Sequence, residues 1–447
     1  MIGGLFKSAS RVALIAAAGV LAGSVAAQAA DLGGNCCADL EERVAELEAT
    51  AARKGNRKVS LTVYGAVNQA ILWHDDKDGH RPDKATVITN DAYVSRFGFR
   101  GEAQIRPDLT AGYLLEIGIY DDKGLSSSTG SLLIRQNHVY LNSQTFGRVT
   151  LGQASQVTDG LFTINLANAQ LTPGEMDEAA EFLSTPFVTT FKTPYDGGRM
   201  KGVYYQTPSL AGFVLSAGWS HGTNDKDKEY VEWKDRSLFT TADSYKDADE
   251  YWEVALKYAG EFNGVRIAAG IGYRKEEDNT VGLTAVHRHG GHIHAHKGEA
   301  ADSKVWMGSA SVMHMPTGLF VSGGYGNKNS DDDLKDSKGW WVMAGIEKNW
   351  TGIGNTTLFA EYMKNDLKVN AARVYSDATH TWKTATQHDG HYWGLGVVQS
   401  IEAAATDLYL NMRKYELDSI SYDLPEASGH VKGHDATVVV GGMIIKF

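Results

Sequence analysis

Long apolar runs are nearly missing from this 447-residue chain. Past its first thirty residues, no stretch of about twenty consecutive apolar side chains occurs, so the mature sequence offers no transmembrane helix. Cysteine is confined to the adjacent pair Cys36 and Cys37. Neighbouring cysteines bridge only with strain, which excludes an internal disulfide framework. Basic residues are outnumbered, 43 Lys plus Arg against 54 Asp plus Glu, and a nucleic-acid binder needs a concentrated basic surface. No G-x-S-x-G, H-E-x-x-H or Walker loop occurs, which leaves no motif for a nucleophile, a catalytic zinc or a nucleotide. No enzymatic activity and no cofactor are expected. Proline is scarce at 8, whereas glycine (49), tyrosine (20) and tryptophan (10) are plentiful. That mixture favours strands and interfacial aromatics over helices.

At the N terminus, Lys7 and Arg11 flank the apolar run from Val12 to Ala27, which ends in Ala27-Gln28-Ala29. This predicts a secretory signal peptide over residues 1–29. Its removal takes the formal charge from -11 to -13, because Lys7 and Arg11 are the only charged residues in it. Residues 30–56 read as an extension ahead of the main domain. Within "CADLEERVAELEATAARKG", Leu40, Val44, Leu47 and Ala51 follow a four-three spacing, with Asp39 as a cap and Gly55 as a stop. Two heptads are too few for independent stability, so the helix needs identical neighbours, and a solvated linker is the alternative. For Cys36 and Cys37, intermolecular pairing and lipidation stay open.

From Val59 the period becomes two. In "VSLTVYGAVNQAILW", Val59, Leu61, Val63, Val67, Ile71 and Trp73 share one face, opposite Ser60, Thr62, Tyr64, Ala66 and Asn68. The same alternation sets Val265, Ile267, Ile271 and Tyr273 against Arg266 and Arg274, and Leu408, Leu410 and Met412 against Asp407, Asn411 and Arg413. Sixteen candidate strands can be read in order between Val59 and the C terminus. Every second connection is tiny, such as Phe262-Asn263 or Pro316-Thr317, and the others are long and polar, such as Ser220 to Glu250. Strict alternation of short and long connections predicts an all-β, sixteen-stranded antiparallel transmembrane barrel over residues 57–447, apolar to lipid and polar to its lumen. Trp219, Tyr258, Tyr273, Trp350 and Tyr362 fall near strand ends, where interfacial girdles belong.

"SRFGFRGEAQIRPDLTAGYLLEIG" (Ser95 to Gly118), "RQNHVYLNSQTFGRVTLGQ" (Arg135 to Gln153), "GRMKGVYYQTPSLAGFVLSAGW" (Gly198 to Trp219) and the terminal Phe447 resemble the Gram-negative general porins. "SASVMHMPTGLFVSGGYG" and "GVVQSIEAAATDLYL" resemble the alphaproteobacterial branch of that family. The resemblance implies a homotrimer in the outer membrane, among lipid and lipopolysaccharide. Each barrel would be a water-filled diffusion pore for small hydrophilic solutes, narrowed by a third external loop folded inward, with residues 30–56 in the periplasm. Where such porins commonly carry Arg after the Gly of "VTLG", this chain has Gln153.

On that reading the constriction loop runs from Ala154 to Gly197 and carries Glu175, Asp177, Glu178 and Glu181. Opposite stand wall bases Arg96, Arg100, Arg135 and Arg148. Acids facing bases across a narrow passage make a transverse field that filters by charge without a binding site. Arg96 and Arg100 point inward by alternation, whereas the phase at Arg135 is ambiguous. Three rivals remain: a substrate-selective channel, a non-conducting adhesive barrel and an outer-membrane enzyme. One stretch stands apart. "HRHGGHIHAH" holds His287, His289, His292, His294 and His296 in the fifth external loop. It is either a solvated rim or a surface site for Zn, Cu or Ni.

Overall fold

The computed structural model describes residues 58–76, 84–120, 131–169, 191, 193–222, 245–246, 250–277, 280–281, 283–289, 292–297, 302–331, 336–369, 374–376, 381–383, 386–424, 427–432 and 435–447. For the hairpin of 283–289 and 292–297 it describes the backbone. The signal segment, the extension over 30–56 with its predicted helix, and Cys36 and Cys37 lie outside these residues.

Sixteen long strands form one sheet. They are β1 (Thr62–Asp76), β2 (Arg96–Arg106), β3 (Leu109–Tyr120), β4 (Ser131–Ser143), β5 (Gly147–Ser155), β6 (Arg199–Gln206), β7 (Phe213–His221) and β8 (Glu250–Phe262). The second half comprises β9 (Val265–Glu277), β10 (Ser303–His314), β11 (Leu319–Ser330), β12 (Ser337–Lys348), β13 (Thr356–Val369), β14 (Thr386–Ile401), β15 (Thr406–Leu424) and β16 (Asp435–Lys446). Each pairs antiparallel with its sequence neighbours, and β1 also pairs with β16, with Ala66 opposite Lys446 and Asp76 opposite Ala436. Gly65 and the terminal Phe447 exchange two backbone hydrogen bonds, 2.8 and 3.0 Å, at the seam. The sheet is therefore closed and leaves no edge strand.

Side-chain alternation sorts the two faces as the sequence predicts. On β1, Val67 and Ile71 are 47% and 59% exposed, whereas Asn68 and His74 between and beyond them are buried. A polar interior inside an apolar exterior is the inverse of a water-soluble barrel, and it fits a lipid surround. The short turns are shaped by backbone chemistry. Between β8 and β9 only Asn263 and Gly264 intervene, at φ 49° and 76°, the pair of left-handed residues that a two-residue hairpin turn requires.

Outward aromatics mark two rings. Near the external rim, directly paired residues carry them: Trp219 with Trp252, Tyr273 with Trp306, Tyr325 with Trp340, and Tyr362 with Trp393. The Tyr273 and Trp306 rings are 4.6 Å apart. Near the opposite rim stand Phe213 beside Tyr258, Phe262, Trp350 and Phe447. All five aromatics expected at strand ends flank the apolar band in one ring or the other, Trp350 just beyond the end of β12. Interfacial belts of this kind fix the height of a barrel in its bilayer.

Two irregularities re-aim side chains. Ahead of β2, residues Lys84–Thr89 pair with the upper part of β1, and a single 3-10 turn, Asp91–Tyr93, separates that piece from Arg96. On β4 the register jumps, Glu116 facing Gln136 while Ile117 faces Ile134. Arg135 is the extra residue of a β-bulge, so it and Gln136 are both buried on the lumen side. That bulge is why strict alternation could not assign its phase.

Candidate functional site

The connection between β5 and β6 turns into the barrel. Its outgoing limb, 156–169, descends the inner wall in a chain of hydrogen bonds. Thr158 donates its backbone N–H and hydroxyl to Glu253 on β8 at 3.0 and 2.6 Å. Ser309 on β10 accepts from the N–H of Ile164 at 2.9 Å and donates to the carbonyl of Leu161 at 2.6 Å. The Trp341 indole on β12 donates to the carbonyl of Phe162 at 2.6 Å. Lower down, Ser311 accepts from the N–H of Leu166 at 3.0 Å. Asn168 donates to Glu347 at 2.6 Å, and its amide reaches Ser400 and Asp407 beside the short turns.

The returning limb is held higher. Phe191 is buried against the rings of Tyr392 and Tyr415 on β14 and β15, at 5.9 and 5.0 Å. Arg274 on β9 donates to the carbonyls of Pro194 and Tyr195, at 3.2 and 3.3 Å, and ion-pairs with Glu276 at 2.7 Å. Arg274 is thus a loop anchor, whereas Arg266, near the short turns, pairs with Glu261 at 3.1 Å. The wall beneath the loop is built from small residues. A methyl group added at Gly270 would stand 2.5 Å from Leu161, and one at Gly324 2.5 Å from the carbonyl of Phe162. Side chains there would fill the space the loop occupies.

In a closed barrel of sixteen strands, each strand faces the one eight places on. The loop lies on β8 to β12 and touches β14 and β15, so β1 to β5 are left across the lumen from it. That wall carries all four predicted bases. Arg96 and Arg135 converge on one carboxylate, Glu116 on β3, at 3.7 and 2.9 Å. Tyr64 donates to the other Glu116 oxygen at 3.0 Å. The Arg100 guanidinium stands 5.4 Å over the Tyr64 ring and is the most exposed of the four. Arg148 does not join them. It sits beside the short turn after β4, 3.6 Å over the Tyr140 ring, and Tyr140 donates to Glu102 at 2.6 Å. Gln153, where an arginine was expected, points outward on β5 and donates to the carbonyl of Ile134 at 2.7 Å.

The acids Glu175, Asp177, Glu178 and Glu181 lie outside the described residues. Among the described loop residues, Asp196 accepts from the N–H of Phe162 at 2.7 Å. Sequence reasoning missed Glu116, although alternation places it inward. It also missed the ion pair of Glu361 and Arg413 behind Phe191, with N–O distances of 2.7 and 3.1 Å. Among the residues whose side chains are described, which leave out the histidine hairpin, no three His, Cys, Asp or Glu converge as a metal site.

A closed barrel with an apolar belt outside, charged residues inside and a loop fastened to its inner wall defines an outer-membrane channel protein. A family model described as Gram-negative porin matches residues 13–440, and the chain belongs to that family. It is 28% identical over 215 residues to an outer membrane porin protein of Bordetella pertussis, a match covering 45% of this chain and 52% of that relative. The fold is similar to that of an anion-selective porin from Comamonas acidovorans (TM-score 0.50, 18% identity, 87% of this chain and 100% of that one). It is also similar to OmpT of Vibrio cholerae (TM-score 0.52, 13% identity, 89% and 100%), a protein also solved in a trimer form.

Proposed function

We propose that the chain forms a water-filled channel for passive diffusion of small hydrophilic solutes and ions, as a homotrimer set among outer-membrane lipid and lipopolysaccharide. The supporting observation is the loop fastened to one wall by Glu253, Ser309, Trp341 and Glu347, with a basic wall left facing it. Glu175, Asp177, Glu178 and Glu181 complete the field from the loop side in this reading, against Arg96, Arg100 and Arg135. Arg148 lies below the narrowing. Such a field sorts by charge and lets solutes leave as readily as they enter. A channel operating this way carries out no covalent chemistry.

The test is conductance in planar bilayers. Stepwise openings in threes are expected, and an electrically silent barrel would sink the reading in favour of an adhesive platform. Reversal potentials in a salt gradient then address the field. Arg100→Gln should move selectivity toward cations and Glu178→Gln toward anions. If neither substitution changes the reversal potential, the two sides of the constriction are misassigned.

A further inference from the structure

The histidine-rich stretch between β9 and β10 has a feature that only its pairing reveals. Residues Leu283–His289 and His292–Lys297 form an antiparallel hairpin in which His287 is paired with His294 and His289 with His292. Directly paired residues lie on the same face of a two-stranded ribbon, and so do residues two apart. His287, His289, His292, His294 and His296 therefore all occupy one face. By register, Val286, Arg288, Ile293, Ala295 and Lys297 belong to the other. A one-residue change of register would have divided the histidines between two faces.

The hairpin is also tied at its root. Thr280 and Val281 pair with Lys246 and Tyr245 of the external connection between β7 and β8. Two external connections thus hold the histidine face, and such anchoring lowers the ordering cost of ligation.

We propose that this face is a surface site for a divalent transition-metal ion of the Zn, Cu and Ni group. Facing residues in an antiparallel pair have Cβ atoms roughly 4.5–5.5 Å apart, and a zinc–imidazole bond is about 2.0–2.1 Å. Two imidazoles from one facing pair can meet a single ion at those spacings. A neighbouring pair about 6.7 Å along the ribbon offers further nitrogens. Imidazole nitrogen without thiolate suits Zn, Cu and Ni, and excludes a preference for Mg or Ca, which take oxygen ligands.

The experiment is calorimetric titration of the full-length protein in detergent with zinc chloride at neutral pH. Wild type should bind at least one zinc per chain. One variant keeps all five histidines but exchanges two neighbours, Val286→His with His287→Val, moving one imidazole to the opposite face. A second, His289→Asn with His292→Asn, removes one facing pair. Both changes lie outside the barrel, so heat-modifiable migration in gels should match wild type and certify folding. Each variant should lose about tenfold or more in zinc affinity. Absence of zinc heats in wild type overturns the site. Equal affinity in wild type and the exchanged variant overturns the shared-face geometry and leaves composition alone as the source of binding.

Discussion

At the scale of single residues, the Glu361–Arg413 pair shows what a barrel lumen does with charge. Both side chains are buried, Asn411 donates a further bond to Glu361 at 3.3 Å, and the guanidinium stands 4.9 Å over Tyr392, the ring against which Phe191 packs. Removing one member of a buried pair leaves the other charge uncompensated, which costs on the order of 3–5 kcal/mol, whereas replacing both is often near neutral. Glu361→Gln should therefore lower the temperature at which the barrel loses its folded gel mobility. Adding Arg413→Met should restore most of the loss. A double variant as labile as the single one would show that the pair is not what holds this part of the wall. The orientation of Arg413 was legible, since period-two alternation points Asp407, Asn411 and Arg413 into the lumen. Its pairing with Glu361 was not, because it depends on the register of strands some fifty positions apart. Arg135 marks the other limit: a bulge changes the phase, and no residue type in "LIRQNH" announces it.

At the scale of elements, the inward loop is positioned as much by missing side chains as by hydrogen bonds. Gly270, Gly272, Gly324 and Gly326 alternate on the lumen face of β9 and β11, and Leu161, Phe162, Ile164 and Tyr195 occupy the space above them. A Cβ at Gly326 would stand 2.2 Å from the Tyr195 ring. Gly326→Ala should destabilise the folded chain by about 1–3 kcal/mol, the usual cost of overpacking, and should shift single-channel conductance as the returning limb is pushed off the wall. Gly441→Ala serves as the control. Gly441 faces outward on β16, where an added Cβ would meet only Leu410, at 3.2 Å, and the carbonyl of Tyr409, at 3.8 Å. If both variants conduct alike, Tyr195 does not set the loop's position. The strands, their order and their short turns were legible in the sequence because each is a local pattern. The loop's inward course was expected only from the family resemblance, and its seat, the glycines and serines at lumen positions of β9 to β12, was not read from the sequence. Nor was its path down to Glu347 and Asp407, since those contacts join residues 179 and 239 positions apart.

At the scale of the whole molecule, the exterior is lopsided. Among the described side chains, outward Trp and Tyr near the external rim lie on β7 to β14, with Trp73 on β1 as the exception. Over β4 to β7 a polar row takes their place, with Asn137 paired with Gln153, Gln153 with Lys201, and Lys201 with His221. Below this row the surface is aliphatic, with Val139, Leu141, Val149 and Leu151 about half exposed. Interfacial aromatics serve contact with lipid headgroups, so an arc without them is better suited to a neighbouring protomer than to the bilayer. If the chain forms the homotrimer proposed above, the contact face is the one around β3 to β5. A lysine in the middle of a lipid-facing strand costs roughly 2–4 kcal/mol in barrel stability, whereas one in a protein contact separates the subunits. Leu141→Lys should give folded monomers whose barrels still resist denaturation in gels. Leu256→Lys, on β8 amid the aromatic arc, should leave trimers that unfold at lower temperature. Mass measurement of the detergent-solubilised protein distinguishes the two. Trimers from Leu141→Lys together with monomers from Leu256→Lys would place the contact on the aromatic side, and the polar row at Lys201 would then face lipopolysaccharide instead.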